Sequence, residues 1–168
     1  TMLSDGGQAS PNDPEAQLAI RLHQLDPAIT AFANAAAHPR ECATQAEFKI
    51  AEALLADARV SLATALAYAL GANWCLSSVG LAALAKRADR ADALGQVLEH
   101  LDRLVPWSLH FALEYLTSLE PRPALGRAFM PAKDWWSDIV ILPGVYHAYL
   151  ERSAALGDVV AFPQGYAP

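Results

Sequence analysis

Apolar residues recur at three- and four-residue spacing along most of this chain, which is the pattern of helices with one buried face. Asp13-Pro14 is a typical helix start, because aspartate is a favoured N-cap and proline fits the first helical position. Asp26-Pro27 repeats this signal, so we expect a second helix there, and His38-Pro39 ends it. The apolar stripes of these two helices are Leu18, Leu22 and Leu25, followed by Ile29, Phe32, Ala33 and Ala36.

Further helices follow from the same signals. Thr44 and Glu47 form a capping box for a third helix. A fourth helix begins after Asp57 and ends at Gly71. Short turns of this kind join consecutive helices into antiparallel hairpins. The remaining predicted helices cover 74–88 and 89–104 (with an Asp89 cap), 106–120, a short stretch around 135–142 that could also be a strand, and the residues from 145 onward.

Both ends of the chain differ in composition from its middle. Residues 1–13 are rich in Gly, Ser, Pro, Asn and Asp, which predicts a flexible lead, and residues 157–168 are expected to form a tail or linker. Residues 14–156 are expected to form a single helical domain. Because both ends resemble linkers, two alternatives stay open, a segment of a longer protein and a separate chain. The first residues lack the basic and apolar regions of a signal peptide.

Composition supports an all-α fold. Ala and Leu are the most frequent residues, whereas the β-branched residues that strands favour are scarce. The net charge of −6 argues against a nucleic-acid-binding surface. Two cysteines are too few for a disulfide framework, so Cys42 and Cys75 are expected to be reduced, buried thiols of a cytoplasmic protein.

The stretch from Val60 to Ala85 contains no charged side chain. It is long enough for a membrane span, but alanine carries most of it and Gly71-Ala72-Asn73 interrupts it. We therefore expect two short helices, each shielded by neighbouring helices on both sides, rather than a membrane helix.

Residues 57–71 resemble the second helix of a HEAT repeat. That helix follows an Asp-containing turn with Val and Arg, and its small and leucine positions end in A-x-A-L-G. Residues 67–71 match this ending, while Arg59 and Val60 stand in swapped order. The resemblance covers at most about residues 44–120. It implies a right-handed stack of antiparallel helical hairpins, a HEAT- or ARM-like solenoid, whose exposed helix faces dock another protein. A non-repeating multi-helix bundle is the alternative.

Histidine and glutamate occur twice at i, i+4 spacing, as His110 with Glu114 and as His147 with Glu151. On facing helices these pairs would supply four ligands to a metal ion in a bundle. The doubled E-x-x-H motif of di-iron bundles is absent, and pairs at this spacing are more typical of hydrogen-bonded partners on a solvated face. We therefore predict a solvated pair on each helix and neither a metal nor a cofactor.

The segment 121–142 combines basic and aromatic residues and is the predicted binding edge. Its two adjacent tryptophans point to different sides of a helix, so both cannot enter one core. An exposed indole there would anchor a partner. The residues expected to contact that partner are Arg122, Arg127, Phe129, Trp135 and Trp136.

No catalytic motif accompanies these features. The serines lack a G-x-S-x-G context, the cysteines lack a charged neighbour that would activate them, and no glycine-rich phosphate loop occurs. We predict a non-enzymatic protein-interaction or scaffolding module, whose partner is another protein or a second copy of the chain. Two alternatives stay open: a small acidic inhibitor of the immunity-protein type, and a metal-binding helical-bundle enzyme using His110, Glu114, His147 and Glu151.

Overall fold

The computed structural model describes residues 13–100 and 103–119. These residues form seven α-helices and short 3₁₀ segments and contain no strand, so the all-α prediction is confirmed for this part of the chain. No helix within the described ranges is long and apolar enough to span a bilayer. The helices are α1 (Pro14–Ala35), α2 (Pro39–Cys42), α3 (Ala46–Ala56), α4 (Leu62–Ala69), α5 (Trp74–Leu84), the 3₁₀-helix (Arg90–Ala93), α6 (Leu94–His100) and α7 (Pro106–Thr117).

Helix α1 is continuous, so the prediction of two helices separated at Pro27 is wrong. Proline inside a helix removes one backbone hydrogen bond. The helix continues because Leu25 and Ile29, on either side of Pro27, belong to one buried stripe. The Asp26 carboxylate accepts a hydrogen bond from the Thr30 hydroxyl at 3.0 Å instead of capping a new helix. Burial of the stripe therefore outweighs the local start signal.

Two predicted N-caps are absent because their side chains bind elsewhere. The Thr44 hydroxyl donates to the carbonyl of Glu41 at 2.6 Å, and α3 begins after Gln45 without a side-chain cap. The Asp89 carboxylate accepts hydrogen bonds from the Arg87 guanidinium at 2.8 and 3.0 Å. The 3₁₀-helix consequently begins without a side-chain cap.

Helix α5 lies at the centre of the described fold, where it packs against α1, α3, α4 and α7. Every residue from 77 to 84 is buried. The expectation that the charge-free stretch is shielded on both sides is therefore confirmed for α5. It is wrong for α4, which exposes Ala63 and Ala67 to solvent.

The backbones of α4 and α5 are in contact at Gly80. A Cβ atom at this position would lie 2.6 Å from the amide nitrogen of Ala69 and 2.8 Å from its Cα. Close by, the Ser77 hydroxyl donates to the Ala69 carbonyl at 2.5 Å. Small side chains on α5 thus allow the two helices to approach at backbone distance.

A buried arginine holds the connection between α3 and α4. The Arg87 side chain is 4% exposed. Its guanidinium donates to the carbonyls of Leu55 at 2.9 Å, Asp57 at 3.3 Å and Val60 at 2.9 Å, and it pairs with the Asp89 carboxylate. Arg87 therefore satisfies carbonyl groups that the end of α3 leaves without partners inside the helix.

Candidate functional site

Two tryptophans border an open apolar groove on the described surface. Trp74 begins α5 and Trp107 lies in the first turn of α7, with ring centroids 6.5 Å apart and ring planes at 84°. Beside them Val105 is 44% exposed. We name this feature the tryptophan groove; it has a volume of about 460 Å³ and is lined by Ala33, Asn34, Ala36, Trp74, Val105 and Trp107.

The starts of two packed helices place the indoles side by side. The Asn73 carboxamide oxygen caps α5 by accepting the amide N–H groups of Cys75 at 3.0 Å and Leu76 at 3.1 Å. The first turns of α5 and α7 then meet where the Ser108 hydroxyl donates to the Trp74 carbonyl at 3.1 Å. Because the tryptophans lie on different helices, their proximity depends on this packing.

Both cysteine thiols lie against the buried side of the two indoles. Cys42 and Cys75 line a small internal space together with Trp74 and Trp107. The Trp107 indole N–H donates to Cys42 Sγ at 3.4 Å. Burial raises the pKa of both thiols, which disfavours the reactive thiolate. The prediction of two free, buried cysteines is confirmed.

A second candidate site contains His110, which has no exposed surface. Its Nε2 lies 3.1 Å from Glu114 Oε1, so the predicted pair forms, but the prediction of a solvated pair is wrong for His110. The His38 ring at the start of α2 meets the His110 ring edge-on, at a centroid distance of 5.4 Å. His110 Nδ1 is buried without a hydrogen-bond partner. His147 and Glu151, the other proposed ligands, lie outside the described residues.

His38 was predicted only to end a helix, and its contact with His110 was not predicted. No periodic pattern links two histidines on different helices. Across 13–100 and 103–119, no three His, Cys, Asp or Glu side chains are grouped so that they could hold a metal ion. The predicted partner-contacting residues Arg122, Arg127, Phe129, Trp135 and Trp136 lie outside the described residues.

A buried carboxylate and a lysine form a third polar feature. Glu52 on α3 is 7% exposed, and its carboxylate accepts a hydrogen bond from the Lys86 ammonium. The pair borders a hollow of about 530 Å³ that Lys49 and Asp57 also line. Glu52 is the buried charge among the residues that line this hollow, and Lys86 neutralises it, so the arrangement is that of a structural ion pair.

The pKa of His38 lies below its ordinary value of 6.5, chiefly because burial disfavours the charged form and next because of the neighbouring His110. Arg40 lowers the pKa further, while Glu41 and Glu114 act in the opposite direction. A depressed folded-state pKa means that the unfolded chain binds the proton more tightly. The contribution of the neutral His38 ring to the free energy of unfolding is therefore complete above pH 6.5. It is lost as the pH falls through the folded-state pKa.

As the pH is lowered below 6.5, we expect the urea midpoint of the wild-type chain to fall by more than that of a His38→Asn variant. Asparagine does not titrate, and it can still accept the Arg40 amide N–H that His38 Nδ1 accepts at 3.0 Å. Urea unfolding at a series of pH values between 5 and about 8 checks this expectation. Identical pH dependence in the two proteins would contradict it.

Comparisons with known proteins give no match for this chain among family models, curated proteins or solved structures.

Proposed function

We propose that this chain is a protein-interaction module that binds an uncharged, apolar segment of a partner protein in the tryptophan groove. The groove itself is the observation that supports the proposal. Its volume of about 460 Å³ falls in the range of about 300–1,000 Å³ typical of ligand-binding clefts. Tryptophan is enriched among the residues that dominate binding energy at protein interfaces.

The polarity of the residues that line the groove indicates which kind of segment it binds. None of its lining residues is charged, and Asn34 is the one polar side chain among them. A charged segment would lose its hydration there without gaining an ionic partner. An aliphatic or aromatic side chain would instead bury apolar surface against both indoles, which is favourable at about 25 cal/mol per Å².

We further propose that the helices stack as HEAT-like hairpins and that the chain serves as a scaffold. Helices α4 and α5 support this arrangement, because they pack directly together and are joined by the short turn 70–73. Stacked hairpins present helix faces and inter-helix grooves as binding surface and require no catalytic residues. The tryptophan groove is an inter-helix groove, because residues of α1, α5 and α7 line it.

A Val105→Glu variant tests the proposed binding site. Val105 is 44% exposed, so the substitution places a charge at the edge of the groove without filling the core. Ile20→Glu is the matched control, because Ile20 is 52% exposed on α1 and does not line the groove. Wild-type and variant chains are used for affinity purification from the cells in which the protein occurs, followed by binding measurements with the purified partner.

We expect a partner that binds the wild-type chain and the Ile20→Glu variant with equal affinity and binds Val105→Glu at least about tenfold more weakly, a difference of about 1.4 kcal/mol. A partner that binds all three chains equally would show that the groove is not the binding site. A bound metal ion or a catalysed reaction without any protein partner would contradict the proposed function itself.

A further inference from the structure

Two polar groups of the tryptophan groove have no hydrogen-bond partner within the described part of the chain. They are the indole N–H of Trp74 and the carboxamide of Asn34. The other indole is occupied, because the Trp107 N–H donates to Cys42 Sγ at 3.4 Å. Solvent reaches Trp74 Nε1, and the Asn34 side chain is exposed. The groove therefore offers free N–H donors beside its apolar walls.

Free donors in an apolar groove favour an occupant that supplies acceptors. An ordinary extended segment brings one N–H and one C=O per residue, and each buried N–H needs an acceptor of its own. The Asn34 carboxamide oxygen is the one side-chain acceptor among the lining residues. Proline has no backbone N–H, so a proline-rich segment brings carbonyl acceptors without donors that would stay unpaired.

The aromatic walls of the groove are complementary to proline rings in charge as well as in polarity. The two indole planes meet at 84°, so the groove has aromatic surfaces in two orientations. Aromatic faces carry negative electrostatic potential, and the C–H groups next to the proline nitrogen carry partial positive charge. Proline-rich segments also adopt the polyproline II helix before binding, so they lose little conformational entropy in an aromatic-lined groove.

We propose that the occupant of the tryptophan groove is a proline-rich segment in the polyproline II conformation, whose carbonyl groups accept hydrogen bonds from the Trp74 indole and the Asn34 carboxamide. This inference rests on the proposed function, because it names the partner segment for the same groove. An amphipathic helix is the alternative apolar occupant. Its backbone groups are bonded within the helix, so it would leave both donors of the groove unused.

An Asn34→Leu variant separates the two kinds of occupant, because leucine has a similar size but makes the groove more apolar and removes a donor. The probe is a peptide of about ten prolines with blocked ends, which is about 31 Å long, titrated into the full chain in a calorimeter. We expect the variant to bind this peptide about two- to tenfold more weakly than the wild type, which is the effect of one lost hydrogen bond.

Gln24→Leu is the matched control for Asn34→Leu. It makes the same change from amide to leucine at an exposed position of α1 that does not line the groove. We expect this variant to bind the proline peptide as tightly as the wild type does. Equal weakening by the two leucine substitutions would place the peptide outside the groove and would overturn the inference.

The indole N–H signals in ¹H–¹⁵N spectra of the full chain give a second measurement. We expect the Trp74 signal, identified by its loss in a Trp74→Phe variant, to move downfield when the proline peptide is added. The Trp107 signal is expected to move less, because its N–H already donates to Cys42. A Trp74 signal that stays in place while the peptide binds would contradict the proposed hydrogen bond.

Three further results would overturn the inference. They are no binding of the proline peptide to the wild type, undiminished binding to Asn34→Leu, and tighter binding of a leucine-rich amphipathic helical peptide. Each of these leaves the proposed function standing if the purified partner still binds Val105→Glu more weakly than the wild type. A partner whose affinity does not depend on Val105 contradicts the proposed function instead.

Discussion

Replacing Gly80 with alanine is expected to destabilise the fold by about 3 kcal/mol, because the added methyl group has no space. Its Cβ would lie 2.6 Å from the amide nitrogen of Ala69 and 2.8 Å from the Ala69 Cα. These are backbone atoms, so relief requires α4 and α5 to separate. Such a separation would also lengthen the hydrogen bond from Ser77 to the Ala69 carbonyl. Urea unfolding monitored by circular dichroism measures the loss.

Gly95→Ala is the matched control for this substitution. A Cβ atom at Gly95 would meet nothing within 4 Å, and the residue is exposed on α6. Alanine has the higher helix propensity by about 1 kcal/mol, so this variant is expected to be more stable than the wild type. The same substitution is thus expected to lower the free energy of unfolding at position 80 and to raise it at position 95. A Gly80→Ala protein as stable as the wild type would show that α4 and α5 do not touch there.

Replacing Arg87 with methionine is expected to cost about 3 kcal/mol, because each buried carbonyl left without its donor costs about 1–3 kcal/mol. Methionine has a similar length but donates no hydrogen bonds, so the carbonyls of Leu55 and Val60 would lose their 2.9 Å partners in a buried site. The loss of attraction to Asp89 contributes less, because that carboxylate is 40% exposed. The stability of an Arg87→Lys variant should lie between those of the wild type and Arg87→Met, since an ammonium keeps the charge but cannot reproduce the planar fork of donors.

Arg59→Met is the control for Arg87→Met. Arg59 also pairs with a carboxylate, that of Asp57 at 2.7 Å, but its side chain is 88% exposed. Solvent screens such a pair, and we expect no measurable change in the urea midpoint. Equal midpoints for the two methionine variants would contradict the structural role of Arg87.

Helix starts that need only an adjacent amide or a proline were predictable from the sequence. The Asp13 cap needs only the amide of Glu15, which donates to the Asp13 carboxylate at 3.3 Å, and α7 begins at Pro106 as predicted. The failures occur where a second group competes for the same side chain, or where the packing of a whole helix overrides a local start signal. At Asp89 the competitor is Arg87, and at Pro27 it is the packing of the whole α1 stripe.

The candidate site was less predictable than the helices because its parts come from separate elements. The predicted helices 74–88 and 106–120 contain Trp74 and Trp107 near their starts, but only the packing of α5 against α7 makes the two side chains neighbours. The partners of Arg87 lie about thirty residues earlier in the chain, at positions with no periodic relation to it. His38 and His110 meet for the same reason. Helical periodicity contains no information about such pairings.

The central position of α5 has a consequence for how the protein opens. Helices on several sides exclude water from its backbone, so its amide protons can exchange with solvent only when the surrounding helices come apart. The four-residue helix α2 has far fewer bonds to break and can open on its own. Deuterium uptake therefore separates two processes: slow uptake in α5 reports the free energy of global unfolding, and fast uptake in α2 reports local opening beside His110.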